Sequence, residues 1–159
     1  MERFEVNKET ITHLKSLLVD GQGEQLRVYL SELHAADIAE IMDDLAIVEA
    51  ELIMNHLDDE DSSAVLMELD EDQREKLVDR LSPEEIAVKY ITNLESDDAA
   101  DLLQELDENI RSQVVSALED VEHASDIIDL LHYEEGTAGA LMGKEMVVVN
   151  QTWDITRSV

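Results

Sequence analysis

Two hydrophobic periods run through this chain. Over short windows apolar residues fall three and four positions apart, as on one face of a helix, and over longer ones leucine recurs every twelve residues. Leu33, Leu45, Leu57, Leu69 and Leu81 form the first ladder, and after one inserted residue Leu94, Leu106, Leu118 and Leu130 continue it. Twelve residues are too few for a helix pair and suit one short helix plus a tight turn. The pattern therefore predicts a single helical unit repeated eight times.

Two further helices precede the ladder. The first is expected over about Lys8 to Val19, with Ile11, Leu14 and Leu18 on one stripe and a stop at Gly21 and Gly23. The second carries Leu26, Tyr29, Leu30 and Leu33. Within the repeats, Ile38-Ala39-Glu40-Ile41-Met42-Asp43-Asp44-Leu45 and Asp97-Asp98-Ala99-Ala100-Asp101-Leu102-Leu103-Gln104-Glu105-Leu106 show the shared form. Ser82-Pro83-Glu84-Glu85 offers an N-cap, a proline at the first helical position and a glutamate to close a capping box, and Ser96-Asp97-Asp98 repeats the theme without proline. A helix of about nine residues is only about 13 Å long and does not persist alone in water. The expected fold is all-α: a superhelical array of about ten short antiparallel helices, with Met42, Met54 and Met67 as core filler.

The repeat breaks after His132-Tyr133. A glycine-bearing connector follows, then Met146-Val147-Val148-Val149 reads as a buried strand and Thr152 as the cap of a helix starting at Trp153. Residues 1–132 are thus expected to form the helical array and 133–145 a connector. Residues 146–159 would begin an incomplete α/β domain, so the chain reads as part of a longer one.

Charge narrows the choice of partners. The chain holds 40 acids against 11 bases, a formal net charge of −29, and residues 31–131 alone carry 31 acids and 5 bases. Such a surface repels nucleic acid and anionic lipid, and its self-repulsion is relieved by counter-cations. There are no cysteines, so thiolate metal sites are excluded, and 44% hydrophobic residues suffice for a core. No stretch approaches the roughly 18 apolar residues that span a bilayer, so this segment is not expected to cross a membrane itself.

Enzyme signatures are missing, and the expectation is a non-enzyme. Gly136, Gly139 and Gly143 fit neither the dinucleotide fingerprint nor the P-loop; the five histidines are dispersed; Asp58-Asp59-Glu60-Asp61 lacks the glycine that bends a calcium loop. Most acids sit where a helix's first turn favours them. Asp97 and Asp101 differ, because their spacing puts both on one face about 40° apart, directed away from Ala99, Leu102, Leu103 and Leu106. The pair is either solvated surface or half of a divalent-cation site completed by another element. With only hard oxygen donors on offer, Mg²⁺ or Ca²⁺ is the natural ion, and its binding would draw facing acidic surfaces together.

The acidic short-helix array, the stretch Asp97-Asp98-Ala99-Ala100-Asp101, and above all Tyr133-Glu134-Glu135-Gly136-Thr137-Ala138-Gly139-Ala140-Leu141-Met142 resemble the intracellular portion of MgtE-type magnesium transporters. The resemblance implies that the connector leads into paired CBS domains and then a dimeric transmembrane pore. It implies a magnesium-sensing regulatory domain on the cytoplasmic side of the cell membrane, which closes the pore through Mg²⁺ bridged to the CBS domains beyond Val159. Matched residue by residue, it assigns metal ligation to Asp97, Asp101 and the Ala140 backbone carbonyl. Ala64 stands where a family member carries a glutamate, and Gly143 where threonine is customary. The competing expectation is an acidic helical scaffold for protein binding, similar to modules of flagellar motor-switch proteins.

Overall fold

The structure is a computed structural model, and it describes residues 8–133 and 137–145. All regular structure among the described residues is helical. The helices are α1 (Lys8–Val19), α2 (Gly23–Leu30), α3 (Ala35–Asp43), α4 (Ile47–Met54), α5 (Asp59–Glu68), α6 (Glu71–Val78), α7 (Pro83–Glu85), α8 (Ser96–Glu105), α9 (Glu108–Ala117) and α10 (Val121–Leu130). No helix among them is long and apolar enough to cross a membrane. The expected strand Met146–Val149 and the helix start at Trp153 lie outside the described residues.

From α3 onward helices pack chiefly against the helix two further along, whereas α1 packs on α2 and α4. α3 lies on α5, which meets the segment after α7, and that segment meets α9; α4 lies on α6, and α8 on α10. Two interleaved rows result, sharing a core in which Leu14, Leu30, Ile41, Ile53, Leu66, Leu102, Leu103 and Ile127 are fully buried. Met42 and Met54 are buried and Met67 packs against the same core. The leucine ladder itself marks helix ends. Leu69, Leu106 and Leu118 cap the C-termini of α5, α8 and α9, and Leu45 follows α3. Leu45, Leu69 and Leu94 are buried in one row and Leu33, Leu57, Leu81 and Leu106 of the other only partly so, an alternation that ends at the partly buried Leu118 and the fully buried Leu130.

The residue inserted into the ladder has a structural address. α7 runs into a π turn over Ile86–Tyr90 and a 3₁₀ turn over Ile91–Asn93, which together absorb the extra residue between Leu81 and Leu94. Wide turns leave carbonyls poorly placed for the usual partners. Side chains serve some of them: Thr92 Oγ1 donates to the Ala87 carbonyl (2.9 Å), and the buried Ser63 hydroxyl of α5 lies within 3.1 Å of the Lys89 carbonyl and 2.7 Å of the Asp59 carbonyl.

Ends dominate such short helices. Every helix from α2 to α10 has an acid in its first turn, where the helix dipole favours it. Asp58, Asp70, Ser82 and Asp120 accept backbone N–H bonds as N-caps of α5, α6, α7 and α10. The scarce donors go to C-terminal carbonyls: Gln73 reaches Met42 O (3.0 Å), Lys89 reaches Met54 O (3.1 Å) and Arg74 reaches Met67 O (3.0 Å). Arg111 serves three, Leu103 O, Gln104 O and Leu106 O, at 2.7 to 3.0 Å. Ser63→Ala should lower unfolding free energy by about 1–3 kcal/mol in urea denaturation, because it removes a buried hydroxyl proton shared between the Asp59 and Lys89 carbonyls. A loss below about 0.5 kcal/mol would show that the turn does not depend on that hydroxyl.

Candidate metal centre at the start of α8

Three carboxylates converge where α8 begins. Glu95, Asp97 and Glu145 each place an oxygen within 4.8 Å of the others; Glu95 is the N-cap residue of α8, Asp97 lies in its first turn, and Glu145 ends the connector. Two oxygens on one Mg²⁺ stand at most about 4.2 Å apart, given bonds of about 2.1 Å, so a small side-chain adjustment brings the trio to a shared ion. The donor set is all hard oxygen, which suits Mg²⁺ or Ca²⁺.

Glu145 is held by the helix it crosses. One oxygen accepts from the Ser96 backbone N–H at 2.9 Å and the other from the Ser96 hydroxyl at 3.0 Å, while that hydroxyl in turn accepts from the Lys144 N–H at 3.1 Å. Ser96 is fully buried beneath this clasp. The sequence suggests Ser96 as its own helix's cap; instead it is the first helical residue, and the cap function comes from a carboxylate 49 positions away. Burial pulls the Glu145 pKa up, but the bonds from its own N–H and from Ser96, with His123 at 3.9 Å, outweigh that and hold it below the usual glutamate value. The clasp therefore contributes stability above the ordinary carboxylate range and loses it as pH falls through the depressed pKa.

The connector is pinned at two more points. Lys144 Nζ bonds Asp129 of α10 at 2.7 Å, with Asp126 at 3.9 Å, so its charge is directed to α10 rather than to the trio. The Tyr133 ring lies over Gly139, where an added Cβ would fall 2.4 Å from Tyr133 Cδ1. Gly143 stands otherwise. A Cβ there would meet the Asp97 oxygens at 3.6 Å and Glu145 at 3.5 Å, ordinary contact distances, so a first side-chain carbon has room.

The expected ligands are dispersed. Asp97 joins the trio, and Asp101, one turn on and partly buried, lines the seam with Met67, Glu71 and Arg74. Ala140 is buried in the connector turn, outside the trio, with its N–H given to Thr137 O at 3.1 Å. Between the two aspartates, partial desolvation and the charges of Asp97 and Asp101 raise the Asp98 pKa, a sign of crowded anions. Reading the sequence missed Glu95 and Glu145, since neither has helical spacing to Asp97 that would mark it. The histidines are engaged singly: His56 and His132 reach carbonyls four residues back, and His123 reaches Ile91 O at 3.1 Å.

Residues 33–136, well over half of the chain, match the family described as the MgtE intracellular N domain. The chain belongs to that family. Among solved structures, it resembles one described as the soluble part of a magnesium transporter, at 27% identity and a TM-score of 0.76. The match covers 88% of this chain and 55% of that one, so this chain spans little more than half the length of its structural relative. No curated protein matches it.

Two outcomes test this MgtE N domain's connector. Gly139→Ala should expel the Tyr133 ring and hasten protease cleavage within 133–145 while helix content by circular dichroism stays constant. Unchanged cleavage would show that the ring contact does not hold the segment. Ser96→Ala should raise the Glu145 pKa, followed by NMR titration of its side-chain carboxyl, because a bond to the ionised form is removed.

Proposed function

We propose that this domain is the cytosolic magnesium sensor of a magnesium transporter, gating its pore through an Mg²⁺-bridged contact with CBS domains that follow the connector. The observation that carries the reading is the convergence of Asp97 with Glu95 and Glu145 at the α8 N-terminus, where the connector is clasped to the helix. The family match and the structural likeness to a transporter's soluble part support the same reading.

Asp97, Asp101 and the Ala140 carbonyl are the proposed protein ligands on this side, and Glu95 and Glu145 are proposed alongside them because their carboxylates converge on Asp97. A bound Mg²⁺ supplies two positive charges to a surface that carries almost no compensating ones. Its effect is to cancel repulsion between the array and the adjoining module and to favour their compact arrangement. On loss of the ion the carboxylates again repel, the modules part, and the pore is released. The transporter acts as a homodimer, with this segment on the cytoplasmic side and the membrane spans supplied by other parts of the chain.

Limited proteolysis of the full-length transporter, with and without millimolar Mg²⁺, tests the mechanism. Protection by Mg²⁺ that disappears in Asp97→Asn with Asp101→Asn is the expected result. Identical digestion with and without the ion, or protection that survives the double substitution, would remove the support for a sensor.

A further inference from the structure

A second feature lies at the other end of α8. Val78, Leu81, Ile86, Leu102, Leu106 and Ile110 floor a cleft of about 190 Å³ between α6, the π turn, α8 and α9. Its rim is acidic on both sides: Glu75 and Asp79 stand on one wall, Glu105 and Asp107 on the other.

Of the nearby cations, Arg74 neutralises the rim acid Glu105, Lys76 on α6 makes no ion pair among the described residues, and Arg80 and Arg111 are engaged away from the cleft. Arg74 is bonded to Glu105 at 2.7 Å and to Met67 O, Arg80 is paired with Glu51 at 2.9 Å, and Arg111 is consumed by the three carbonyls ending α8. Glu75, Asp79 and Asp107 form no ion pair among the described residues. Asp79 is moreover the C-cap of α6, the end of a helix dipole that disfavours an anion. An apolar slot flanked by Glu75, Asp79 and Asp107, which lack ion pairs, and by Glu105, which is held by Arg74, leaves a defined complement.

We infer that this cleft is a docking site for a basic amphipathic helix of a partner protein, which inserts one aliphatic or aromatic side chain between flanking lysines or arginines. The volume admits a single large side chain, not a broad helical face. Glu75 and Asp79 are four residues apart, matching cations about one turn apart on a facing helix. A second copy of this chain is the wrong occupant, since each carries a net charge of −29. Nucleic acid and anionic membranes are repelled for the same reason.

The probe is a labelled helical peptide of repeating lysine and alanine with one central leucine, titrated into the 159-residue chain by fluorescence anisotropy at moderate salt. Saturable binding is expected, weakened about tenfold by Glu75→Gln with Asp79→Asn and Asp107→Asn, and about tenfold when alanine replaces the central leucine, each equivalent to about 1.4 kcal/mol. A control neutralising Glu24, Glu40 and Asp61, exposed acids of other helices, should change affinity less than about twofold at this ionic strength. Equal weakening by both triple variants, or indifference to the central leucine, overturns the site in favour of general polyanion attraction. Self-association abolished by Ile110→Lys, or anionic vesicles competing for the cleft, overturns the choice of occupant.

Discussion

A short helix spends much of its backbone on its ends. Four N–H groups at one terminus and four carbonyls at the other lack intrahelical partners, so a helix of eight to ten residues leaves nearly as many groups open as it closes. This chain is built almost wholly from such helices, and much of its composition follows from that. Acids crowd the first turns, where N–H groups and the positive end of the dipole await them. At the other ends leucines close the turns, and Gln73, Arg74, Lys89 and Arg111 reach carbonyls of earlier helices.

An asymmetry of charge is the consequence. Apart from α8, N-termini are favoured by acids in their own first turn or just before it, so acids multiply with each repeat. C-termini are served from a distance by a few long side chains, so three of the five bases within residues 31–131 are consumed as caps. Little positive charge is left for the surface. The trio at α8 and the rim around Leu106 are two local expressions of that surplus, one walled by the connector and the other floored by the core.

The start of α8 turns a capping requirement into a link between segments. Ser96 is buried and donates twice to Glu145, so the connector satisfies a helix end that its own N-cap residue leaves without a side-chain partner. Capping by a distant carboxylate brings that carboxylate beside Asp97. An anion cluster and a structural clasp thus share one residue, and a cation that engages Glu145 bears on how the connector sits.

Spacing alone determined the helices. The bounds of α1, the capping box at Ser82 and Glu85, and the burial of Met42 and Met54 follow from period, cap chemistry and volume, which are local properties, whereas Asp97 and Asp101, spaced to share one helix face, are half-buried against neighbouring segments. The extra residue between Leu81 and Leu94 was visible as a count, but only the tertiary structure shows it as a π turn lying against Ser63. Likewise the rows linking helices from α3 onward to the second one along, the capping of α8 by Glu145, and the meeting of Glu95, Asp97 and Glu145 were decided by tertiary structure. The reason is range: a dihedral preference or a cap acts across about four residues, whereas a contact across 49 positions exists only once the intervening helices have stacked and fixed its distance.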